Sequence, residues 1–290
     1  MSLPRRDTGF PVEDNPRNEK CVSVVKELSI VTTRTTAGKK HIMRKSTRNF
    51  LSAASFLVIL SSLGMNCSKT GSSLTTSPVT YLTLINEATY TGAASVYLND
   101  TLTTPAGGIA AGTFSSEYGH ISPGYYDVKF ATTSSDSLLS EIPSSDYDTL
   151  NFYTLILYNT AGGASVQSVK IWDNFSTLSS INANYRFFNL SPDEPNVDLY
   201  LNNTIVSSNR AIADNASNTL YNAFQPTAQG TYSITVKSAG KDSVIATLTQ
   251  PVPMTNGNAY TIFLSGNIGS SGTPSANNPL KINVLQATYQ

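Results

Sequence analysis

The chain has 290 residues, with 19 basic and 19 acidic residues, and only 13% of its residues are charged. Its first 66 residues carry 11 basic and 5 acidic residues, so the remaining 224 hold 8 basic and 14 acidic ones. This acidic body, rich in Ser, Thr, Asn and Tyr, lacks the positive surface that nucleic acids require, which excludes them as partners.

The segment 43–66 has the order of a secretory signal peptide. Met43 opens a basic stretch, an apolar stretch of about 14 residues follows, and Cys67 comes next. The apolar stretch is short for a transmembrane helix. The Cys at this place resembles a bacterial lipoprotein signal, in which the thiol is acylated and becomes the new N-terminus, although Asn66 stands where such signals prefer a small residue. Ordinary cleaved secretion and an uncleaved anchor are the alternatives.

We therefore predict an exported protein, anchored by lipid to a membrane of the bacterial cell envelope, on its periplasmic side or at the cell surface. Residues 1–42 have no role in this scheme and are interpreted as an over-extended start, with a short cytoplasmic tail as the alternative. Residues 67–79 are rich in Ser and Thr and are predicted to be a flexible linker.

The rest of the chain consists of two copies of one unit. The segment 96–102 returns as 199–205, 103 positions later, and Asn86 returns as Asn189. The offset drifts to 107 at Tyr153 and Tyr260, and to 111 at Lys170 and Lys281. The predicted domains are residues 80–183 and 184–290, each the usual size of an independently folding unit.

Both copies consist of short runs of β-branched and aromatic residues, bounded by turn residues. Several of these runs alternate between apolar and polar positions. We expect about seven strands in each copy. The fold class is predicted to be all-β, with two tandem immunoglobulin-like antiparallel β-sandwich domains after the signal segment. The predicted strands are 81–85, 95–98, 125–130, 152–157 and 166–172, and then 185–188, 197–201, 231–236, 260–264 and 280–285.

Two asparagine-containing dipeptides separate apolar pairs at equivalent places, Asn99-Asp100 and Asn202-Asn203. Asn and Asp tolerate positive φ, so both dipeptides are predicted to form two-residue hairpin turns. Large aromatic residues such as Phe187, Phe188, Tyr153 and Tyr260 are predicted to be core residues first and binding residues second.

The segment Ser191-Pro192-Asp193-Glu194-Pro195-Asn196-Val197-Asp198-Leu199-Tyr200 resembles the opening of a bacterial repeat family, domain of unknown function 4397. The resemblance is close over 184–290 and weaker over 80–183, where residues 88–95 replace the Pro-containing loop. It implies immunoglobulin-like envelope domains, in a family with no established activity.

Carboxylates supply the few candidates for chemistry. Asp193, Glu194 and Asp198 lie within six residues and could bind Ca²⁺ through hard oxygen ligands, but a turn at Asp193 and an outward-facing Asp198 explain them as well. A carboxylate-based hydrolase would use Asp146 and Asp148, or Asp193 and Asp198. No zinc, phosphate-loop or Ser-His-Asp motif is present, so no cofactor and no enzyme activity are expected.

Four Asp-Ser/Thr-apolar triplets resemble an O-glycosylation acceptor pattern of some Gram-negative envelope proteins, and turns beside strands explain them as well; they begin at Asp100, Asp136, Asp148 and Asp242. The leading hypothesis is a non-enzymatic envelope lipoprotein whose two sandwiches bind or space a carbohydrate or protein ligand. The alternatives are the hydrolase and an accessory subunit of a surface assembly.

Overall fold

The structure is a computed structural model that describes residues 77–268 and 278–287. The predicted signal segment 43–66, Cys67 and most of the linker lie outside the described residues. None of the helices that the structure describes is long and apolar enough to cross a membrane.

The first repeat is a sandwich of two sheets. One sheet has the order β4-β1-β8-β9, with β5 also pairing with β1, and the other has the order β3-β2-β6-β7. The strands are β1 (Thr80–Glu87), β2 (Ala94–Leu98), β3 (Thr101–Leu102), β4 (Thr113–Phe114), β5 (Gly119–Ile121), β6 (Gly124–Thr132), β7 (Leu138–Tyr147), β8 (Phe152–Asn159) and β9 (Val166–Trp172).

The second repeat has the same arrangement, with sheets β13-β10-β18-β19 and β12-β11-β15-β16 and a separate pair, β14-β17. Its elements are β10 (Ala183–Asn189), β11 (Val197–Leu201), β12 (Thr204–Arg210), the helix α1 (Asp214–Ser217), β13 (Gln225–Thr227), β14 (Gly230–Tyr232), β15 (Ile234–Ser238), β16 (Val244–Thr247), β17 (Val252–Met254), β18 (Ala259–Ser265) and β19 (Lys281–Ala287). Each sheet takes all of its strands from one repeat.

The all-β sandwich class is confirmed, but the sheets are not wholly antiparallel. β1 runs parallel to β8, with Ile85 opposite Ile156, and β10 runs parallel to β18, with Phe188 opposite Phe263. Parallel strands need a crossover connection. After the first strand of each parallel pair, the chain forms the strands of the other sheet and then returns to form the second strand of the pair. Both strands therefore run in the same direction.

The strand count also differs from the prediction of about seven, because the described residues hold nine strands in the first repeat and ten in the second. The ten predicted runs all coincide with strands, except that 231–236 is divided between β14 and β15. The additional strands are short or lie at sheet edges. β7 contains Pro143 and is the last strand of its sheet, the place where a strand tolerates a residue that cannot donate a hydrogen bond.

Each repeat buries a hydrophobic core of its own between its two sheets. Alternate residues of each strand point into the core. Val96 and Leu98 on β2 do so beside Phe130 and Val128, their partners on the neighbouring strand β6. Leu199, Leu201, Ile234 and Val236 make the equivalent contacts in the second repeat. Tyr153, Tyr260, Phe187 and Phe188 are all buried, as predicted.

The two hairpin turns differ in one residue. Asn99 and Asp100 both have positive φ, at 46° and 61°, and Asn202 has φ of 55°. Asn203, expected to share that conformation, is not among the residues with positive φ in the part of the chain that the structure describes. A two-residue hairpin can close with positive φ at its first central position alone, which accounts for the difference.

The Asn side chains tie these turns to the next hairpin. The Oδ1 atom of Asn99 accepts the backbone N–H of Asp127 at 3.0 Å, and Oδ1 of Asn202 accepts that of Ser233 at 3.0 Å. Each repeat also has a tyrosine corner, in which the hydroxyl of Tyr126 or Tyr232 bonds the carbonyl four residues upstream. The same contacts thus recur at equivalent positions of the two repeats.

Candidate functional site

The two repeats pack together through their β1-β8 and β10-β18 sheets. A third hydrophobic cluster, which we call the inter-repeat core, lies between these sheets. Contacts between domains of one chain are usually modest and polar, but here the facing side chains are aliphatic and aromatic. The members of the inter-repeat core are Ile85, Ile156, Tyr158, Ile171, Phe188, Leu190, Phe263 and Leu285.

The inter-repeat core is built from equivalent positions of the two copies. Ile85 corresponds to Phe188, and Ile156 corresponds to Phe263, since both pairs lie in the same register of the parallel strands. Ile171 lies opposite Thr154, and Leu285 lies opposite Thr261, so these two correspond as well. The match of Lys170 with Lys281 was therefore wrong by three residues. The same patch of each repeat meets its counterpart, as in an isologous dimer.

A buried ion pair crosses this interface. The guanidinium of Arg186 on β10 lies 2.6 Å from the carboxylate of Asp173, which follows β9, and both side chains are almost fully excluded from solvent. Arg186 also donates to Thr261 at 2.8 Å and to Thr154 at 3.2 Å, and these two threonines occupy equivalent positions on β18 and β8. The charge of Arg186 is thus held by both repeats.

Aromatic rings enclose the ion pair and keep water away from it. The guanidinium lies 4.5 Å from the centre of the Phe224 ring and 5.0 Å from that of Phe188. The Tyr118 hydroxyl donates to Asp173 at 2.8 Å, as does Thr154 at 2.6 Å. Burial, together with the charge of Asp173, raises the pKa of Tyr118 far above its usual range, so this hydroxyl remains a donor.

A second polar cluster lies at the end of β1. Glu87 is completely buried, and its carboxyl oxygens, like the hydroxyl of Ser265, have no hydrogen-bond partner of good geometry within the described residues. Burial raises the pKa of Glu87 to about 7, and the Ser265 hydroxyl, the Lys281 ammonium group and the backbone of Gly266 oppose that rise. This carboxyl therefore changes charge near neutral pH.

The Asp193 side chain, a candidate calcium ligand, joins the repeats instead. Its carboxylate accepts the Tyr90 hydroxyl at 2.8 Å and the backbone N–H of Ile268 at 2.9 Å. Burial and the hydrogen bond to Asp193 raise the pKa of Tyr90. Tyr90 belongs to the loop 88–95, the segment in which the first copy departs from the repeat pattern, so that departure supplies a contact with the second copy.

The other two calcium candidates are held separately. Asp198 was expected to face outward but is buried, because its two oxygens accept the backbone N–H groups of Asn209 at 2.7 Å and Gly240 at 2.8 Å. Burial, followed by the charge of Asp193, raises the pKa of Glu194. No group of three or more His, Cys, Asp or Glu side chains able to hold a metal ion occurs in residues 77–268 and 278–287.

The hydrolase candidates of the first repeat, Asp146 and Asp148, lie on its surface. Asp146 and Asp148 are both exposed beside the end of β7, and His120 is exposed on β5. The backbone carbonyl of Asp146 accepts from Lys170 at 2.8 Å, and that of Asp148 accepts from Thr80 at 2.5 Å.

A cleft with a volume of about 410 Å³ lies where the two repeats meet. One wall comes from Tyr158, Gln167 and Val169 on β8 and β9, and the other comes from Ala216 on α1 and Ile212 just before it. The Tyr158 hydroxyl donates to Gln167 at 3.0 Å, which orients the amide on that wall. The cleft combines polar and apolar side chains from both copies.

Comparison with known families follows the repeat seen in the structure. The family model described as Domain of unknown function (DUF4397) matches residues 80–200 and, again, 183–280. The chain belongs to the DUF4397 family. No curated protein matches it. The two matched regions overlap at β10 and β11, so the family model extends slightly beyond one repeat of the fold.

Sequence reasoning found the DUF4397 repeats but missed the surface that joins them. One signal was available, because Leu155-Ile156-Leu157 on β8 and Ile262-Phe263-Leu264 on β18 are continuous apolar runs rather than alternating ones. A strand that is apolar at consecutive positions is buried on both faces. Arg186, placed between Tyr185 and Phe187, was a second signal, since a charge in such a run needs a buried partner.

Proposed function

We propose that the chain is a lipid-anchored protein of the bacterial cell envelope, in which two DUF4397 repeats form one rigid, non-catalytic unit that binds a carbohydrate at the membrane surface. The basic, apolar and Cys67 segments of the sequence support the anchor. The observation that carries the proposal is the inter-repeat core, because a buried apolar interface holds two domains in one orientation.

The cleft between the repeats supports the binding role. Tyr158 and Gln167 offer hydrogen-bonding groups, and Val169 and Ile212 offer apolar surface. Carbohydrates need both, because their hydroxyls require partners and their C–H faces pack on apolar side chains. A rigid interface keeps the two walls at a fixed separation, so the cleft is formed before the ligand arrives.

Membrane fractionation tests the anchor, with a linker residue of the mature chain as the control. Cys67→Ala should move the protein from the membrane to the soluble fraction, and Ser72→Ala should leave it in the membrane. The intact mass of the membrane form should show two or three acyl chains on residue 67. An unmodified residue 67 in the mature protein would contradict the proposal.

Occlusion of the cleft tests the binding role. Neutral oligosaccharides prepared from the envelope serve as the probe, and isothermal titration calorimetry measures their binding. Ala216→Trp, which fills the cleft, should weaken binding at least tenfold, and Ser134→Trp, at the exposed β6-β7 turn, should not. Equal affinity of the two variants would remove the cleft as the binding site.

A further inference from the structure

Four large aliphatic side chains are exposed at equivalent points of a short sequence pattern. Leu102, Leu138, Leu150 and Val244 expose 46%, 59%, 65% and 56% of their surface. Each directly follows an Asp-Ser or Asp-Thr pair. Together they make up four of the seven large exposed aliphatic residues in the described part of the chain.

The hydroxyls within these triplets are exposed too, and each lies beside or within a connection between strands. Thr101 follows the β2-β3 hairpin turn, Ser137 lies in the β6-β7 hairpin turn and Ser243 in the β15-β16 hairpin turn, and Thr149 lies in the β7-β8 connection between the two sheets of the first repeat. Such connections lie at the surface of a sandwich, so an enzyme can enclose them without unfolding the domain.

Turn chemistry explains only part of the pattern. Asp and Ser suit turns because their side chains bond the local backbone, and Asp100 and Asp136 indeed have positive φ, at 61° and 51°. The same chemistry gives no reason for an exposed Leu or Val in the third position. An exposed aliphatic side chain beside an exposed hydroxyl is a feature that a second protein can recognise.

We propose that Thr101, Ser137, Thr149 and Ser243 are acceptor hydroxyls for O-glycosylation, recognised by a transferase through the preceding carboxylate and the following aliphatic side chain. The hydroxyl oxygen attacks the anomeric carbon of a glycosyl diphosphate donor and forms the glycosidic bond. The bond between that carbon and the diphosphate oxygen breaks, the diphosphate leaves with the electron pair, and the hydroxyl proton passes to a base of the transferase.

The aspartates of the triplets are accessible for recognition. Lys129 contacts Asp100 at 2.6 Å, Tyr97 donates to Asp136 at 2.8 Å, and Lys237 contacts Asp242 at 3.3 Å. Contacts of this kind at an exposed surface contribute little free energy, so a basic group of the transferase can replace them.

The second repeat contains a natural control. Asn203-Thr204-Ile205 occupies the hairpin that corresponds to Asp100-Thr101-Leu102, and both Thr204 and Ile205 are exposed, Ile205 to 46%. The two sites differ mainly in the first residue, an amide in place of a carboxylate. If the carboxylate is required, Thr101 is modified and Thr204 is not.

Peptide mass spectrometry of the protein purified from its native cells tests the proposal. A hexose-containing mass is expected on Thr101, Ser137, Thr149 and Ser243 and not on Thr204. Asp100→Asn, Asp136→Asn, Asp148→Asn and Asp242→Asn should each remove one modification, with the melting temperature within a few degrees of the parent. Asn203→Asp should add one at Thr204, a gain that impaired folding cannot imitate. Unmodified hydroxyls at all four sites, or modification unaffected by these variants, would overturn the proposal.

This inference rests on the proposed export of the chain, and the same spectra separate the two. Acylated Cys67 with four bare hydroxyls overturns the glycosylation alone. Bare hydroxyls together with an unmodified Cys67 overturn both proposals.

Discussion

Glu87 is a carboxyl at a position where the second repeat has an apolar residue. Its counterpart, 103 positions later, is Leu190, a member of the inter-repeat core. The buried carboxyl is stable in its protonated form, because burial disfavours its charge. We therefore expect the stability of the interface between the repeats to depend on pH through this side chain.

The free energy of unfolding should fall as pH rises from about 4.5 to about 7, since over this range the folded state retains the proton of Glu87 and the unfolded state has lost it. Above about pH 7 both states are ionised and this contribution levels off. The difference amounts to roughly 3 kcal/mol. Urea unfolding at a series of pH values measures it.

Glu87→Gln removes the titration and keeps the shape of the side chain. Its unfolding free energy should depend less on pH between about 4.5 and 7 and should exceed that of the parent at pH 8. Glu141→Gln, on the exposed surface of β7, is the matched control and should leave the slope unchanged. An unchanged slope in Glu87→Gln would show that this carboxyl ionises normally.

The hairpin turns give a second prediction at this scale. Because Asn202 has positive φ and Asn203 does not, the strain of a β-branched residue belongs to Asn202. Asn202→Val should destabilise by on the order of 1 kcal/mol or more, and it also loses the bond to the Ser233 N–H. Asn203→Val should cost less. Thermal unfolding compares them, and the reverse order would contradict the turn conformation.

The strands show how far a sequence predicts this fold. Period-two alternation locates strands such as β6 and β11, and Asn99-Asp100 locates the hairpin. β7 was missed because only two of its ten side chains are buried and Pro143 interrupts it. The Arg186–Asp173 pair could not be placed, since Arg186 lies on β10 of the second repeat, Asp173 follows β9 of the first, and the two meet only when the repeats pack.

The buried ion pair predicts that removing one partner costs more stability than removing both. Asp173→Ala should destabilise by about 3 to 5 kcal/mol, because it leaves the Arg186 charge buried without its carboxylate. Combining it with Arg186→Met should recover part of that loss. Urea unfolding of the two single variants and the double variant closes the cycle, and strictly additive losses would contradict a direct coupling.

The whole molecule behaves as a dimer within one chain, which changes what a separated repeat should do. Residues 184–290 contain all the strands of the second repeat except Ala183, the first residue of β10, so we expect this fragment to fold. Folding alone leaves Phe188, Leu190, Phe263 and Leu285 uncovered, and a second copy of the fragment offers the matching surface. Size-exclusion chromatography of the fragment with Arg186→Met, which removes the charge that Asp173 no longer pairs, should show a dimer or a larger species.

Phe188→Lys with Phe263→Lys should make the fragment monomeric without unfolding it, since both side chains lie outside its own core. Circular dichroism provides the folding control. A monomeric parent fragment would show that the inter-repeat core is too weak to associate without the covalent join.

The covalent join also explains the asymmetry of the Arg186–Asp173 pair. Arg186 corresponds to Thr83, and Asp173 corresponds to Ala287, so neither charge is repeated in the other copy. In an assembly of identical subunits every substitution appears twice across the two-fold axis. A new arginine at the interface is therefore accompanied by a second arginine on the other subunit. Gene fusion lifts that constraint. Once two copies share a reading frame, selection can act on each half of the interface alone. The interface can then hold a single ion pair, with the arginine on one copy and the aspartate on the other, which a homodimer cannot have without its symmetric duplicate.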